Sequence, residues 1–219
     1  MSRTITVKGI GKISAKPDYV VLSLSLKSHD TDYGKAMELA DKELGQLKEA
    51  LGGAGFDKKA LKTADFNVRA DYNSVNDRSG NYRREFNGYT VSHSLKLEFD
   101  FDSARLSKAL SAVSDCLSNP ELSVAFTVKD VSFVNERLLR AAAENAKHRA
   151  KVLCAASDVE LGALLSVSYS WSEADILSNT AYRMSEECFA APMARSAAVD
   201  IEPDDISVSD TAVFVWEIK

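Results

Sequence analysis

The sequence predicts an α+β fold with antiparallel or mixed sheets and about three helices, in the order β-β-α-β-β-α-β-α-β-β. Three observations predict it. Runs in which apolar and polar residues alternate come mostly in adjacent pairs, as in residues 5–13 followed by 19–26. Three other stretches repeat their apolar residues at helical spacing. Strands in hairpin pairs with helices interspersed, without strict strand–helix alternation, indicate α+β. Each half carries hairpin strands and a helix, so two loosely duplicated lobes are expected, though no residue-level repeat is visible. Residues 1–219 are expected to form a single domain.

The elements follow in order. Ile5, Val7, Ile10 and Ile13 form the first strand, and Val20, Leu22, Leu24 and Leu26 the second, with Pro17-Asp18 as the turn. Ala36, Leu39, Ala40, Leu44, Leu47 and Leu51 mark a helix that Asp30 or Thr31 would cap and Gly52-Gly53 would end. Phe66, Val68, Ala70 and Tyr72 form a strand, and Asn-Asp-Arg-Ser-Gly-Asn at 76–81 is turn chemistry. A long strand over 82–101 completes a hairpin over about 62–101. Its tip carries Tyr72, Tyr82, Arg83, Arg84 and Phe86, an aromatic and basic set that suits assembly, ligand or partner contact, or equally a plain solvated hairpin arm. Asp102 or Ser103 caps the next helix, and Asn119-Pro120 stops it. A strand through Leu122, Val124, Phe126 and Val128 precedes a helix over 132–157 with a buried stripe of Val134, Leu138, Ala142, Ala146, Ala150, Leu153 and Cys154. A strand over 164–171, a long loop over about 172–205 and a closing strand over 206–218 complete the chain.

Apolar residues make up 45% and charged residues 27% of the 219, the composition of a globular chain. The net charge of −5 argues against nonspecific nucleic-acid binding, which needs a basic face. No apolar run is long enough to be a transmembrane helix. The start, Met-Ser-Arg-Thr-Ile-Thr, lacks a signal peptide's apolar core, so the expected location is cytoplasmic. A chain trimmed of its export signal would instead belong to the envelope or periplasm.

Gly9-Ile10-Gly11-Lys12-Ile13-Ser14 comes close to a dinucleotide-binding glycine loop, but a strand follows it where that loop needs a helix N-terminus. A strand bend or a close backbone approach fits better. His29, His93 and His148 form no zinc-ligand spacing, and Cys116, Cys154 and Cys188 include no C-x-x-C. Neighbouring Glu186 and Glu187 would disfavour a thiolate at Cys188. The acidic group Asp200, Glu202, Asp204 and Asp205 matches no calcium loop. No catalytic constellation, metal site or cofactor site is expected.

The opening Ile-Thr-Val-Lys-Gly-Ile-Gly through Pro17-Asp18 resembles the start of the SIMPL-domain family, a bacterial family that includes periplasmic and outer-membrane-associated immunogenic proteins. Gly-Tyr-Thr-Val from Gly88, the alanine-rich helix after Ala141 and the closing Ile201-Glu202-Pro203 segment resemble its later motifs. Two departures stand out. Asp204 replaces a usual Gly, and Leu117-Ser118-Asn119 replaces Gly-Ala-Asn. The resemblance implies that Gly9, Gly11, Pro17 and Asp18 are a structural signature. It implies no catalytic residues or cofactor. It also implies ring- or channel-like homo-oligomers, with envelope or stress-related roles. The leading expectation is therefore a non-enzymatic, self-associating scaffold. The alternative is a small-molecule or peptide-binding module using the hairpin tip and the 172–205 loop.

Overall fold

The computed structural model describes residues 3–76, 82–169, 176–184 and 201–219. The strands are β1 (Thr4–Ala15), β2 (Tyr19–Asp30), β3 (Lys62–Asn76), β4 (Tyr82–Asp100), β5 (Glu121–Thr127), β6 (Leu161–Ser168), β7 (Leu177–Met184) and β8 (Ile206–Ile218). The helices are α1 (Tyr33–Gly53), α2 (Ser103–Ser114) and α3 (Val131–Ala156). The α+β class and the order of elements agree with the sequence reading, with one addition: β7 lies inside the stretch read as a long loop. Its Ser178, Asn179, Thr180 and Arg183 hide the strand from a hydrophobicity pattern.

The chain divides into two compact units. The first comprises Met1–Asp18, Thr127–Asn179 and Pro203–Lys219, and the second Tyr19–Phe126 and Thr180–Glu202. The first unit holds a three-stranded sheet in the order β1-β8-β6, with β8 antiparallel to both neighbours. Helix α3 packs on it. Val7, Phe214 and Trp216 meet Ala146 and Ala150 in one cluster, and Ile206 and Val208 meet Val134 and Leu138 in another. The buried stripe of α3 is Val134, Leu138, Ala142, Ala146, Ala150 and Cys154, a residue every fourth position. Leu153 corrects the sequence reading. It falls one step off that stripe and is 50% exposed.

The second unit carries the five-stranded sheet, order β3-β4-β2-β5-β7. Strand β4 is antiparallel to both β3 and β2. Alternation along β2 sends Val20, Leu22, Leu24 and Leu26 into a core with Leu95, Leu97 and Phe99 of β4. Leu47 and Leu51 of α1 and Leu106, Leu110 and Val113 of α2 complete it.

Helix boundaries follow local chemistry. Asp32 caps α1 through the Lys35 N–H at 3.0 Å, one residue beyond Thr31. Helix α1 continues through Gly52 and Gly53, and the chain turns at Gly55, whose φ is +94°. Asp102 caps α2 through the Arg105 N–H at 2.7 Å. Asp130 caps α3 through the Phe133 N–H at 2.8 Å. Among the described residues no helix is long and apolar enough to cross a membrane.

Candidate functional site

The four N-terminal signature residues all lie in the first unit. Strand side chains alternate between faces, so Val7, Gly9, Gly11 and Ile13 share the face turned to α3. At Gly9 an added Cβ would stand 2.1 Å from the Ala142 carbonyl oxygen, and at Gly11 it would stand 2.1 Å from that of Leu138. The two glycines therefore let the middle of α3 lie directly on the β1 backbone. The carboxylate of Asp18 accepts the Lys129 N–H at 2.7 Å, and its own N–H donates to the Thr127 carbonyl at 3.1 Å. Pro17 beside it is buried.

The hairpin residues lie in the second unit. Strand β2 reaches Asp30, opposite Tyr89, and the hairpin continues beyond that point as a two-stranded arm. Pairing runs Asp71 with Gly88 and then Tyr72 with Phe86, leaving Asn87 as an extra residue in a bulge. Gly88 has φ +131°, and a Cβ there would stand 2.5 Å from the Asp30 carbonyl oxygen. The bulge shifts the alternation by one residue. It puts Phe86 on the same face as Tyr89, which simple counting would put opposite.

An aromatic ladder results. Tyr33 at the start of α1 meets Tyr89 edge-to-face at 5.5 Å, Tyr89 meets Phe86 at 5.2 Å, and Phe86 meets Tyr72 at 5.8 Å. The Arg84 guanidinium lies 5.0 Å from the Tyr72 ring centre. Tyr72 and Phe86 are each 49% exposed and Tyr33 is 52% exposed. Of the five hairpin residues singled out in the sequence, Tyr72, Arg84 and Phe86 thus come together. Arg83 is exposed on the alternate face of β4. Tyr82 pairs with Asn76 through the backbone, and its side chain lies outside the described residues. Tyr33 and Tyr89 escaped the sequence reading. The detectable signal was the phase break at Asn87-Gly88, where apolar positions change from even to odd.

Other polar groups near the sheet have plain partners. His93 is buried, its Nε2 2.8 Å from the Thr63 hydroxyl and its ring edge-to-face with Phe66. Desolvation, aided by the charge of Lys48, pushes its pKa below the usual imidazole value. Ser28, also buried, donates to Glu43 at 2.6 Å. At the base of the arm, Thr90 donates a short hydrogen bond to Asp71, which holds that carboxyl below its usual pKa, and Arg69 adds an ion pair at 3.0 Å. In the first unit, Tyr169 donates to Asp210 at 2.6 Å, which raises the phenol's pKa.

Among the described residues no three His, Cys, Asp or Glu side chains converge as a metal site. His29 and His148 are exposed, while Cys116 and Cys154 are buried. Cys188, Asp200 and most of the 172–205 stretch lie outside the described residues. The polar face of the five-stranded sheet carries a shelf of about 490 Å³, lined by Ser23, Ser25, Ser94, Ser123, Glu121 and Arg183 among others. The first unit carries a groove of about 530 Å³ between β1 and the C-terminal part of α3.

The profile of SIMPL, described as a protein of unknown function (DUF541), matches residues 5–216. The 26 kDa periplasmic immunogenic protein of Brucella melitensis biotype 1 is 26% identical over 164 residues, covering 75% of this chain and 65% of that protein. The protein of the same name from Brucella abortus strain S19 shows the same identity and coverage. The match therefore spans just under two thirds of the length of these relatives.

Proposed function

This chain belongs to the SIMPL family, matched over residues 5–216, and from that premise we propose that it is a non-enzymatic envelope scaffold that associates with copies of itself through the aromatic face of its β3–β4 arm. The observation that carries the reading is the ladder Tyr33–Tyr89–Phe86–Tyr72, capped by Arg84, which runs from α1 onto the arm with half of several rings exposed. Monomeric proteins seldom leave contiguous aromatic surface open, and Tyr, Phe and Arg are favoured where interfaces bury their core.

A second copy is the occupant that suits this face. Each ring offers both an edge and a face, so one ladder complements another. The arm beyond β2 is a two-stranded ribbon, which is marginal in water without cover. The signature Gly9, Gly11, Pro17 and Asp18 serves packing in this reading. The name of the Brucella relatives supports a periplasmic location.

The test is solution mass by light scattering across a dilution series, for the natural sequence and for Tyr72→Ser/Phe86→Ser. A defined oligomer that the double variant dissociates is the expected result. A monomer at every concentration, or an oligomer indifferent to the double variant, rejects the reading.

A further inference from the structure

The geometry points to a second recognition site, independent of the arm: the free edge of β1 beside the C-terminal part of α3 binds an extended peptide with alternating apolar and acidic residues, as an added strand. In the order β1-β8-β6, strand β1 is an edge. Residues of odd number on β1 turn their backbone groups toward β8, as the bond from the Ile218 N–H to the Arg3 carbonyl shows at the start of the strand. Even-numbered residues turn theirs outward.

Helix α3 meets two of those outward groups. The Ile10 N–H donates to the Asn145 side-chain carbonyl at 3.1 Å, and the Lys8 carbonyl accepts from the Arg149 guanidinium at 3.3 Å. One turn further, next to Thr6, the helix presents Val152 and Leu153, which have no polar atom to offer the edge. The side-chain capping of this edge thus stops at Lys8. The groove of about 530 Å³ begins there, lined by Thr6, Lys8, His148, Arg149, Val152 and Leu153.

An edge strand flanked by a helix, with outward N–H and C=O groups at Thr6, is the arrangement that accepts a peptide by strand addition. Its lining sets the peptide's chemistry. Val152 and Leu153 are 53% and 50% exposed and would cover apolar side chains on the helix side. Lys8 projects to the opposite face, where the alternate side chains of an added strand would lie. Lys8 on that face makes acidic alternate residues the complementary choice, and on the helix side the groove is bordered by Arg149 with no carboxylate in its lining.

The experiment is fluorescence polarisation with a labelled, end-blocked hexapeptide of alternating Glu and Val, read beside amide chemical shifts of the protein. Binding should perturb Thr6, Lys8 and Val152. Replacing Glu by Lys in the peptide, or N-methylating its backbone, should each weaken binding by about tenfold or more, the cost of a lost charge pair or main-chain hydrogen bond. Thr6→Pro removes one outward N–H at an edge position where proline is tolerated and should weaken binding similarly. The N-methylated peptide tests the same bond should that variant misfold. No binding at millimolar peptide, or equal binding of all three peptides, overturns the proposal. So does self-association that Thr6→Pro abolishes and Phe86→Ser leaves intact, because the occupant is then a strand of a second copy.

Discussion

Gly9 and Ala142 touch backbone to backbone: a methyl group on the Gly9 α-carbon would stand 2.1 Å from the Ala142 carbonyl oxygen and 2.8 Å from the Ala146 Cβ. Neither obstacle is the movable end of a long side chain, so the contact has no local way to relax.

Gly9→Ala should therefore push α3 off β1 and destabilise the chain by about 1–3 kcal/mol or more, the range for overpacked cores. Gly11→Ala should behave alike, because its Cβ would meet the Leu138 carbonyl. Gly45 provides the contrast. It lies inside α1 with nothing within 4 Å of an added Cβ, so Gly45→Ala should stabilise by about 0.5–1 kcal/mol. Urea unfolding of the three variants is the check, and equal effects at Gly9 and Gly45 would refute the close-packing account.

Asn145 answers an edge donor that no strand of the described residues pairs. Asn145→Leu keeps the side chain's size and leaves the part-buried Ile10 N–H without its partner. The expected loss is about 1–3 kcal/mol, the cost of an unsatisfied buried donor. Hydrogen exchange at Ile10 should accelerate more than at Val7, whose N–H faces β8. Uniform acceleration along β1 would mean that the substitution loosens the whole contact.

Gly88 turns the arm. Its φ of +131° is strained for any other residue, and Asp30 leaves no room for a Cβ. Gly88→Ala should cost about 1–3 kcal/mol. If the bulge sets the aromatic ladder, the same variant should weaken self-association at concentrations where it remains folded. Light scattering after confirming the fold by circular dichroism separates the two effects. Unaltered association would remove the bulge from the assembly account.

His93 links stability to pH. Its folded pKa is depressed below the 6.5 of a free imidazole, first by desolvation and then by Lys48. The unfolded chain therefore binds the proton first as pH falls. The sign follows: the contribution is fully present above about pH 6.5 and is lost progressively as pH falls from there toward the depressed folded value. His93→Gln retains a partner for Thr63 and cannot titrate. Its unfolding free energy should vary less between about pH 7.5 and pH 5.5 than that of the natural sequence. Identical slopes would show that another group carries the dependence.

Much of the fold was legible in local patterns. Alternation exposed most strands, and the four-residue step of small and apolar residues exposed α3. Asp102 was legible as the cap of α2, whereas α1 is capped by Asp32 in place of Asp30 or Thr31, and the cap of α3, Asp130, was not read from the sequence. Three failures share one cause, the dependence of burial on partners. Leu153 fits a helical period but faces the groove instead of the sheet. Strand β7 carries a polar pattern yet pairs into the five-stranded sheet. Tyr33 and Tyr89 lie 56 positions apart in the chain and meet only because α1 folds back over β4.

The sequence by itself determined the class of fold and, β7 apart, the elements and their order, because periodicity, capping and turn chemistry act between residues a few positions apart. It also marked Gly9 and Gly11 as a strand bend or a close approach without deciding which. Only the tertiary structure decided that Ala142 and Leu138 fill those places, that the Gly88 bulge aligns the arm's rings, and that the capping of the β1 edge ends at Lys8. Those relations join residues up to 141 positions apart, as between Lys8 and Arg149. Distances of that kind are set by how helix and strand pack, and no local pattern records them.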